Sequence, residues 1–503
     1  MKIYSTLSGR KEDFVPASDT VKMYVCGVTP YDESHLGHAM SYIFFDTMRR
    51  YMEFRGFKVR YVQNFTDIDD KIINRANRLG KPPQELADGF IERFFADMDA
   101  LNIRRADVYP RATQEIPKIQ EVIAGLIAKG HAYVGQDGVY FRVKSFPGYG
   151  ALSHRSLDDM KSEAAEAAGK EHPMDFALWK NSKPGEPFWE SPWGNGRPGW
   201  HIECTAMSLK YLGETIDIHG GGQDLVFPHH ENEIAQSEAF TGTRPFVRYW
   251  LHNGMLQLGE EKMSKSLGNL VTIKEVLQTV GADALRIFVL SSNYRSPLTY
   301  TTEALAAAAR GAERLTDAAR GNPAASGFGV PQASVPASAQ LATETQTAYS
   351  VRQASLPVDA TPFSSFPRTR ESTGRGDIDI EPYLKRFTDG GDDDFNFAQG
   401  IAGLFDLSKE INKARESGQD VAKAQAALLQ MAGVLGLRLE PKAGKESAAS
   451  AGPFIDLLLS LRQELRAQKN FAMADKVRNQ LTQLGVTIED TAKGPRWKYE
   501  KPA

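Results

Sequence analysis

Met23-Tyr24-Val25-Cys26-Gly27, then His35-Leu36-Gly37-His38, then Ala39 to Phe54, then Val59-Arg60-Tyr61-Val62 is the stretch whose reading decides the fold. The two short apolar runs read as buried strands. The residues between them carry apolar side chains at helical spacing from Ala39 to Phe54 and stop at Gly56. A strand, helix and strand in this order form a βαβ unit with parallel strands. His35 to His38 then fall at the strand-to-helix crossover, the edge of a parallel sheet where ligands bind. The expected fold class is α/β: a Rossmann-like nucleotide-binding domain with a parallel sheet, an inserted connective subdomain and a helical C-terminal region.

Working outward, Lys71 to Leu101 is helix-rich, and Ile116 to Trp193 has the mixed texture, with Gly, Pro and Trp punctuation, of an inserted subdomain. The apolar pattern resumes at Trp200-His201-Ile202-Glu203-Cys204 and Thr215-Ile216-Asp217-Ile218-His219, followed by three glycines. These read as the second half of the nucleotide-binding fold, with both cysteines at the ends of parallel strands. Helices are expected at Ile273 to Val280, Thr302 to Ala319 and Phe395 to Ala414. From Asn322 to Asp377 the pattern breaks, with six prolines between Pro323 and Pro367 and few periodic apolar residues. Such a stretch buries too little to offset its ordering entropy, and is expected to be disordered.

The 503 residues suffice for several domains with substantial cores, and 41% hydrophobic with 24% charged residues fits a water-soluble globular protein. The start lacks a signal-like apolar stretch and no run reaches membrane-spanning length, so a cytoplasmic location without a membrane partner is expected. Two cysteines exclude a disulfide framework, though not a single bridge. A net charge of −3 argues against indiscriminate nucleic-acid coating. Leu461 to Ala503 nevertheless holds nine Lys/Arg against five Asp/Glu, a local basic excess.

Two short motifs carry the chemistry. His35 and His38 can donate hydrogen bonds to phosphate oxygens, and a helix starting at Gly37 adds backbone N–H groups and its dipole. Lys262-Met263-Ser264-Lys265-Ser266 places two ammonium groups three residues apart, suited to neutralising charge as a pentavalent phosphorus forms. Together they describe activation of a nucleoside triphosphate without a Walker motif, which is absent from the chain. His219-Gly220-Gly221-Gly222 resembles an oxyanion segment, but no Gly-x-Ser-x-Gly turn accompanies it. His229 and Glu233, four apart after Pro228, share one face if a helix starts there. With Cys26 and Cys204 they make a donor set suited to zinc. Taken alone, an i,i+4 His/Glu pair is more often a surface contact, and two distant cysteines are more often core residues. Both cysteines, however, fall at the ends of expected parallel strands, where α/β active sites assemble.

The chain resembles the cysteinyl-tRNA synthetases, class I aminoacyl-tRNA synthetases. The likeness rests on Met23 to Gly27, His35 to His38, Asn64-Phe65-Thr66-Asp67-Ile68-Asp69-Asp70-Lys71, Gly199 to Cys204, Asp217 to Glu238, Lys262 to Asn269 and Asp392-Asp393-Asp394-Phe395-Asn396. The resemblance implies one zinc ion on Cys26, Cys204, His229 and Glu233, and a cysteine pocket including Thr66, Trp200 and Asp224. It implies ATP, accompanied by Mg²⁺, at His35, Gly37, His38, Lys262 and Lys265, with tRNA(Cys) contacting the C-terminal half. L-Cysteine would be activated as the adenylate and passed to the tRNA 3′ ribose, with no editing domain, by a monomer.

In that light the chain divides at 1–115 and 196–250 (two halves of the catalytic domain), 116–195 (connective insert) and 251–320 (lysine loop and stem contact). There follow 321–380 (insertion), 381–440 (helical bundle) and 441–503 (anticodon-binding domain). Leu36 stands where Ile is commoner, Met160 to Glu171 is shorter than usual, and 322–377 is extra. Two alternatives remain. One is the cysteine ligase of mycothiol synthesis, which lacks an anticodon-binding extension, whereas this chain runs almost 240 residues past the lysine loop. The other is a non-catalytic tRNA-binding relative, expected to lose signature histidines or lysines that are all present here.

Overall fold

The computed structural model describes residues 1–160, 170–258, 261–262, 270–320, 378–440, 443–491 and 494–499. The Pro/Ser/Thr-rich stretch and Met263 to Asn269, including Lys265, lie outside the described residues. So do most of the 160–171 segment and the side chain of Lys262. The chain divides into two compact units, Met1–Leu439 and Glu440–Ala503.

The first unit is built on four parallel strands, β1 (Thr20–Val25), β2 (Lys58–Gln63), β3 (Ile216–Gly222) and β4 (Val247–Asn253), in the order β4-β3-β1-β2. The expected βαβ unit is present, with α1 (Leu36–Phe54) crossing from β1 to β2. Side chains on β1 alternate between two cores, as the period of a strand requires. Val21, Met23 and Val25 face the α1 side, while Tyr24, with Cys26 just beyond the strand, faces the insert. Because β1 leads to β2 on one side and pairs with β3 on the other, the strand order reverses between β1 and β3. Their C-terminal ends form the crevice where such sheets bind ligands.

The insert is a four-stranded antiparallel sheet of Ala132–Val134, Gly138–Phe141, Phe176–Asn181 and Gly196–Pro198, packed with the Ile116–Ala128 helix around fully buried Trp179. Lys71 to Leu101 resolves into two helices, Asp70–Leu79 and Pro83–Ala100, because Gly80 takes a left-handed conformation ahead of two prolines. The Thr302–Ala319 helix has the expected limits. The helix expected from Phe395 runs instead from Phe397 to Glu416, since Asp394 and Phe395 both have positive φ and Asn396 caps the start.

One expectation is overturned. Trp200 to Cys204 is not a strand but the first turn and a half of α2 (Trp200–Leu212), so Cys204 sits on a helix. Every residue from Ile202 to Ser208 is buried, so this helix shows no polar stripe, and a short apolar window cannot distinguish it from a strand. Glycine at 199 marks its entry.

In the second unit, the Ala443–Ala467 and Phe471–Gln483 helices pack with a hairpin of Val486–Thr491 and Gly494–Tyr499. Its small core is Ile455, Leu459, Leu481, Val486 and Ile488. No helix among the described residues is long and apolar enough to cross a membrane.

Candidate active site and metal centre

His35 is the N-cap of α1. Its Nδ1 accepts a hydrogen bond from the Gly37 amide at 3.1 Å, and the His38 Nδ1 accepts from the His35 amide at 3.3 Å. Two histidines thus form the reciprocal box usually built from Ser/Thr and Glu. The consequence is chemical. An Nδ1 that accepts must be bare in a neutral ring, which leaves the proton on Nε2. The rings stack with centroids 3.8 Å apart, so both present donors near the positive end of the same helix.

The segment that follows the lysine motif is stitched to this cap. The Leu36 amide donates to Val271 O and the Ile273 amide to Ser34 O, both at 3.0 Å, and His35 bridges Thr272. On the motif's other side, Glu261–Lys262 pairs with Leu256–Leu258, which pairs in turn with Leu298–Tyr300. The histidine signature and the described chain that follows the lysine motif, more than 200 residues apart in sequence, are therefore joined by backbone hydrogen bonds.

Cys26 lies at the end of β1, Cys204 on α2, His229 just before α3 (Glu231–Thr241) and Glu233 in its first turn. Their donor atoms all lie within 4.8 Å of one another, and all four residues are buried. Cys26 Sγ and Cys204 Sγ are 3.9 Å apart, Cys26 Sγ and Glu233 Oε1 3.8 Å, and His229 Nε2 and Glu233 Oε1 3.0 Å. Burial disfavours the Glu233 carboxylate, but His219 and His229 hold it at about 2. Burial likewise opposes the His229 imidazolium, which Glu233 and Cys204 push up to about 10. Burial pushes the Cys26 thiol up, while hydrogen bonding from Cys26 and proximity to His229 lower Cys204. Protons thus stand where a cation would take their place.

A second set, Cys26, His219, His230 and Glu233, also meets within this distance. It shares two donors with the first but leaves Cys204 idle beside Cys26, so two thiolates favour the first set for a soft cation. The extra histidines act from outside. His219 Nε2 donates to Glu233 Oε2 at 2.9 Å, consistent with its buried, unpartnered Nδ1, and His201 Nδ1 lies 2.9 Å from His229 Nδ1. His230 Nδ1 lies 2.7 Å from His252 Nε2. Sequence reading missed these four residues. The available signal was density, since five of the ten histidines fall between 201 and 252.

Trp200, 39% exposed, stacks its ring on His229 at 4.3 Å and stands at the rim. Thr66 is buried, its amide bonded to Val28 O beside the end of β1. Asp224 is exposed, with Oδ1 beside Gly222 at the mouth of β3. Asp392, Asp393 and Asp394, which lead into the Phe397–Glu416 helix, also brace the fold. Tyr51 Oη donates to Asp392, Lys11 pairs with Asp393, and the buried Asp394 accepts from Tyr4 N, Tyr294 Oη and Arg295 Nε.

A histidine-capped helix at the switch point of a parallel sheet, tied to a lysine motif, defines a class I aminoacyl-tRNA synthetase. Residues 14–310 match the model of the class I (C) tRNA synthetase catalytic domain and 386–440 match the DALR domain. Mycobacterium tuberculosis methionyl-tRNA synthetase in complex with methionyl-adenylate shares the fold, with TM-score 0.55 and 16% identity over 83% of this chain and 88% of that one. A cysteine–tRNA ligase of Dehalococcoides mccartyi is 54% identical over 99% of this chain and 100% of its own length. One of Thermococcus onnurineus is 46% identical over 99% of each. The chain belongs to the cysteine–tRNA ligase family.

Proposed function

We propose that this protein activates L-cysteine with ATP, accompanied by Mg²⁺, and transfers it to tRNA(Cys), with the selecting pocket at Cys26, Cys204, His229 and Glu233. One observation carries the reading: a thiol-rich, metal-sized cluster lies at the same crevice as the histidine-capped start of α1. The donor set fits zinc. With Zn–S of about 2.3 Å a tetrahedral edge between two sulfurs is about 3.8 Å, against the 3.9 Å found here. When bound, zinc supplies thiol selection, because it favours an incoming thiolate (free pKa about 8.5) over a hydroxyl far harder to deprotonate.

The remaining chemistry belongs to the chain. The cysteine carboxylate attacks the α-phosphorus, pyrophosphate leaves, and charge builds on the phosphate oxygens. His35 and His38 donate from Nε2 to those oxygens, and the α1 N-terminus adds its Gly37 amide and dipole. Lys262 and Lys265 neutralise the β- and γ-phosphates. Trp200 walls the amino-acid pocket, with Thr66 and Asp224 beside it. The tRNA 3′-terminal hydroxyl then attacks the carbonyl carbon of the adenylate, releasing AMP. A monomer with tRNA bound across the helical C-terminal half completes the proposal.

The test is cysteine-dependent ATP–pyrophosphate exchange with serine as competitor, followed by charging of tRNA. Exchange with cysteine, rejection of serine by about 10⁴-fold or more, and tRNA charging are expected. Exchange without charging would favour a ligase with another acceptor, and absence of exchange in zinc-replete protein would end both enzymatic readings.

A further inference from the structure

Arg286, on the Ala282–Leu290 helix, is completely buried, and its guanidinium is the meeting point of four segments. Nε donates to Leu435 O at 2.8 Å and Nη1 to Leu101 O at 3.0 Å. Nη2 donates to Asp46 Oδ2 at 2.6 Å and to Thr47 Oγ1 at 3.0 Å. Asp46 and Thr47 belong to α1, the helix whose first turn holds His35, Gly37 and His38. Asp46 accepts further from Arg50 Nε at 2.9 Å and from the Arg104 amide at 3.0 Å, so the buried carboxylate is fully engaged. Gly436 has φ +72°, and a Cβ there would lie 2.2 Å from Nη2, so the chain after the Ala422–Val434 helix is pressed directly onto the guanidinium.

The helix bearing Arg286 follows the lysine motif in sequence, separated from it only by the Leu270–Ile273 stitch and the Ile273–Thr279 helix. The stitch fixes the first turn of α1 against the chain leaving the lysine motif. Arg286 fixes the middle of the same helix against the next element of that chain. Two attachments about ten residues apart along α1 span about 15 Å of helix, enough to set its tilt as well as its position.

We propose that Arg286 is a positioning residue for the adenylate step: its fork through Asp46 and Thr47 holds the histidine-capped helix in register with the segment that follows the lysine motif. Through Leu435 and Gly436 the same group seats the end of the helical bundle against that register. The geometry needs a planar fork, because three directions are served at once by one group, which an ammonium on a flexible stem does not reproduce. The cysteine pocket is outside its reach, since Cys26, Cys204, His229 and Glu233 are carried by β1, α2 and α3 and make no contact with Arg286 among the described residues. The inference rests on the synthetase reading.

The test uses the full chain as R286K, R286Q and G436A, read by cysteine-dependent ATP–pyrophosphate exchange, cysteine binding and thermal melting, with assays well below each variant's melting point. Wild-type protein that fails to exchange overturns the synthetase reading itself. Given a working wild type, the expected result in folded variants is a kcat lowered about tenfold or more, with the cysteine Kd within about twofold, since a misplacement near 1 Å costs up to about 100-fold. R286K should fall between wild type and R286Q. If R286Q does not fold, R286K and G436A decide. Folded variants with kcat within about twofold of wild type, or with cysteine binding weakened in parallel, would overturn the proposal.

Discussion

Replacing His35 with asparagine separates two jobs that one imidazole performs. Nδ1 caps α1 through the Gly37 amide at 3.1 Å, and Nε2 is left to donate to phosphate. The asparagine side-chain oxygen falls near the place of Nδ1 and is among the best N-caps, but nothing in it reaches where Nε2 was. H35N should therefore keep the start of this 19-residue helix, with folding free energy within about 0.5 kcal/mol of wild type. H35A loses the cap as well, at a cost of about 1 kcal/mol. In catalysis the two variants should look alike. Losing one preorganised donor to a developing anion costs about 2.7–4 kcal/mol, a kcat lower by about 100- to 1,000-fold. The assay is pyrophosphate exchange at saturating cysteine, beside urea unfolding of the same preparations. H35N that exchanges within about fivefold of wild type would refute Nε2 as the phosphate donor. H35A as stable as H35N would refute the cap.

Three further outcomes are expected. C204S should lower zinc content measured by mass spectrometry and raise the cysteine KM about tenfold or more, while the ATP KM stays within about twofold, because Cys204 belongs to the pocket and not to the α1 cap. Burial, with the Glu33 carboxylate nearby, pushes Asp97 up to about 6, so between pH 4 and 6 the folded chain keeps a proton that the unfolded chain releases, and stability falls as pH rises through that window. D97N should thus be more stable than wild type at pH 7.5, by about 1 kcal/mol after discounting for a half-exposed site, and equal to it at pH 4 by thermal melting. Arg320 O accepts from Arg415, and Ile378 shares a cleft with Ala414, so the described residues on either side of 321–377 lie at one end of the same helix. Replacing 322–376 by a short Gly/Ser linker should change stability by no more than about 1 kcal/mol and leave tRNA charging within about twofold.

The parallel sheet was legible because β1 and β2 are short apolar runs around a helix of clear period, and no tertiary knowledge is needed to order a βαβ unit. The position of Cys204 was not legible, since a helix buried all round has lost the stripe by which helices are read. The four donors were readable as an inventory and their convergence was not, because Cys26 and Cys204 are brought together by β1 and α2 from opposite ends of the insert. The bracing contacts of Asp392 to Asp394 were not legible for a related reason, since their partners come from distant stretches of the chain. Those partners are Tyr51, Lys11 and Arg295. Arg286 gave no local signal, as its partners come from four separate stretches.

The two halves of the site are held by different kinds of force, and this bears on how the enzyme can vary. Placement of the histidines proposed to meet ATP rests on a cap, a pair of amide–carbonyl stitches and a helix end, together with the Arg286 fork on the middle of α1. The cluster proposed to choose the amino acid is built from side chains, four donors and the histidines beside them. Among the described residues a direct link between the halves is the Tyr42 hydroxyl on α1, which donates to Cys26 O at 3.3 Å. A single neutral hydrogen bond transmits about 0.5–1.5 kcal/mol, so ATP occupancy can bias the cysteine pocket by no more than about tenfold through it. Under the proposed function, a change of donor set at Cys26, Cys204, His229 and Glu233 is expected to alter which amino acid is accepted while leaving the backbone bonds that place His35 and His38 in place.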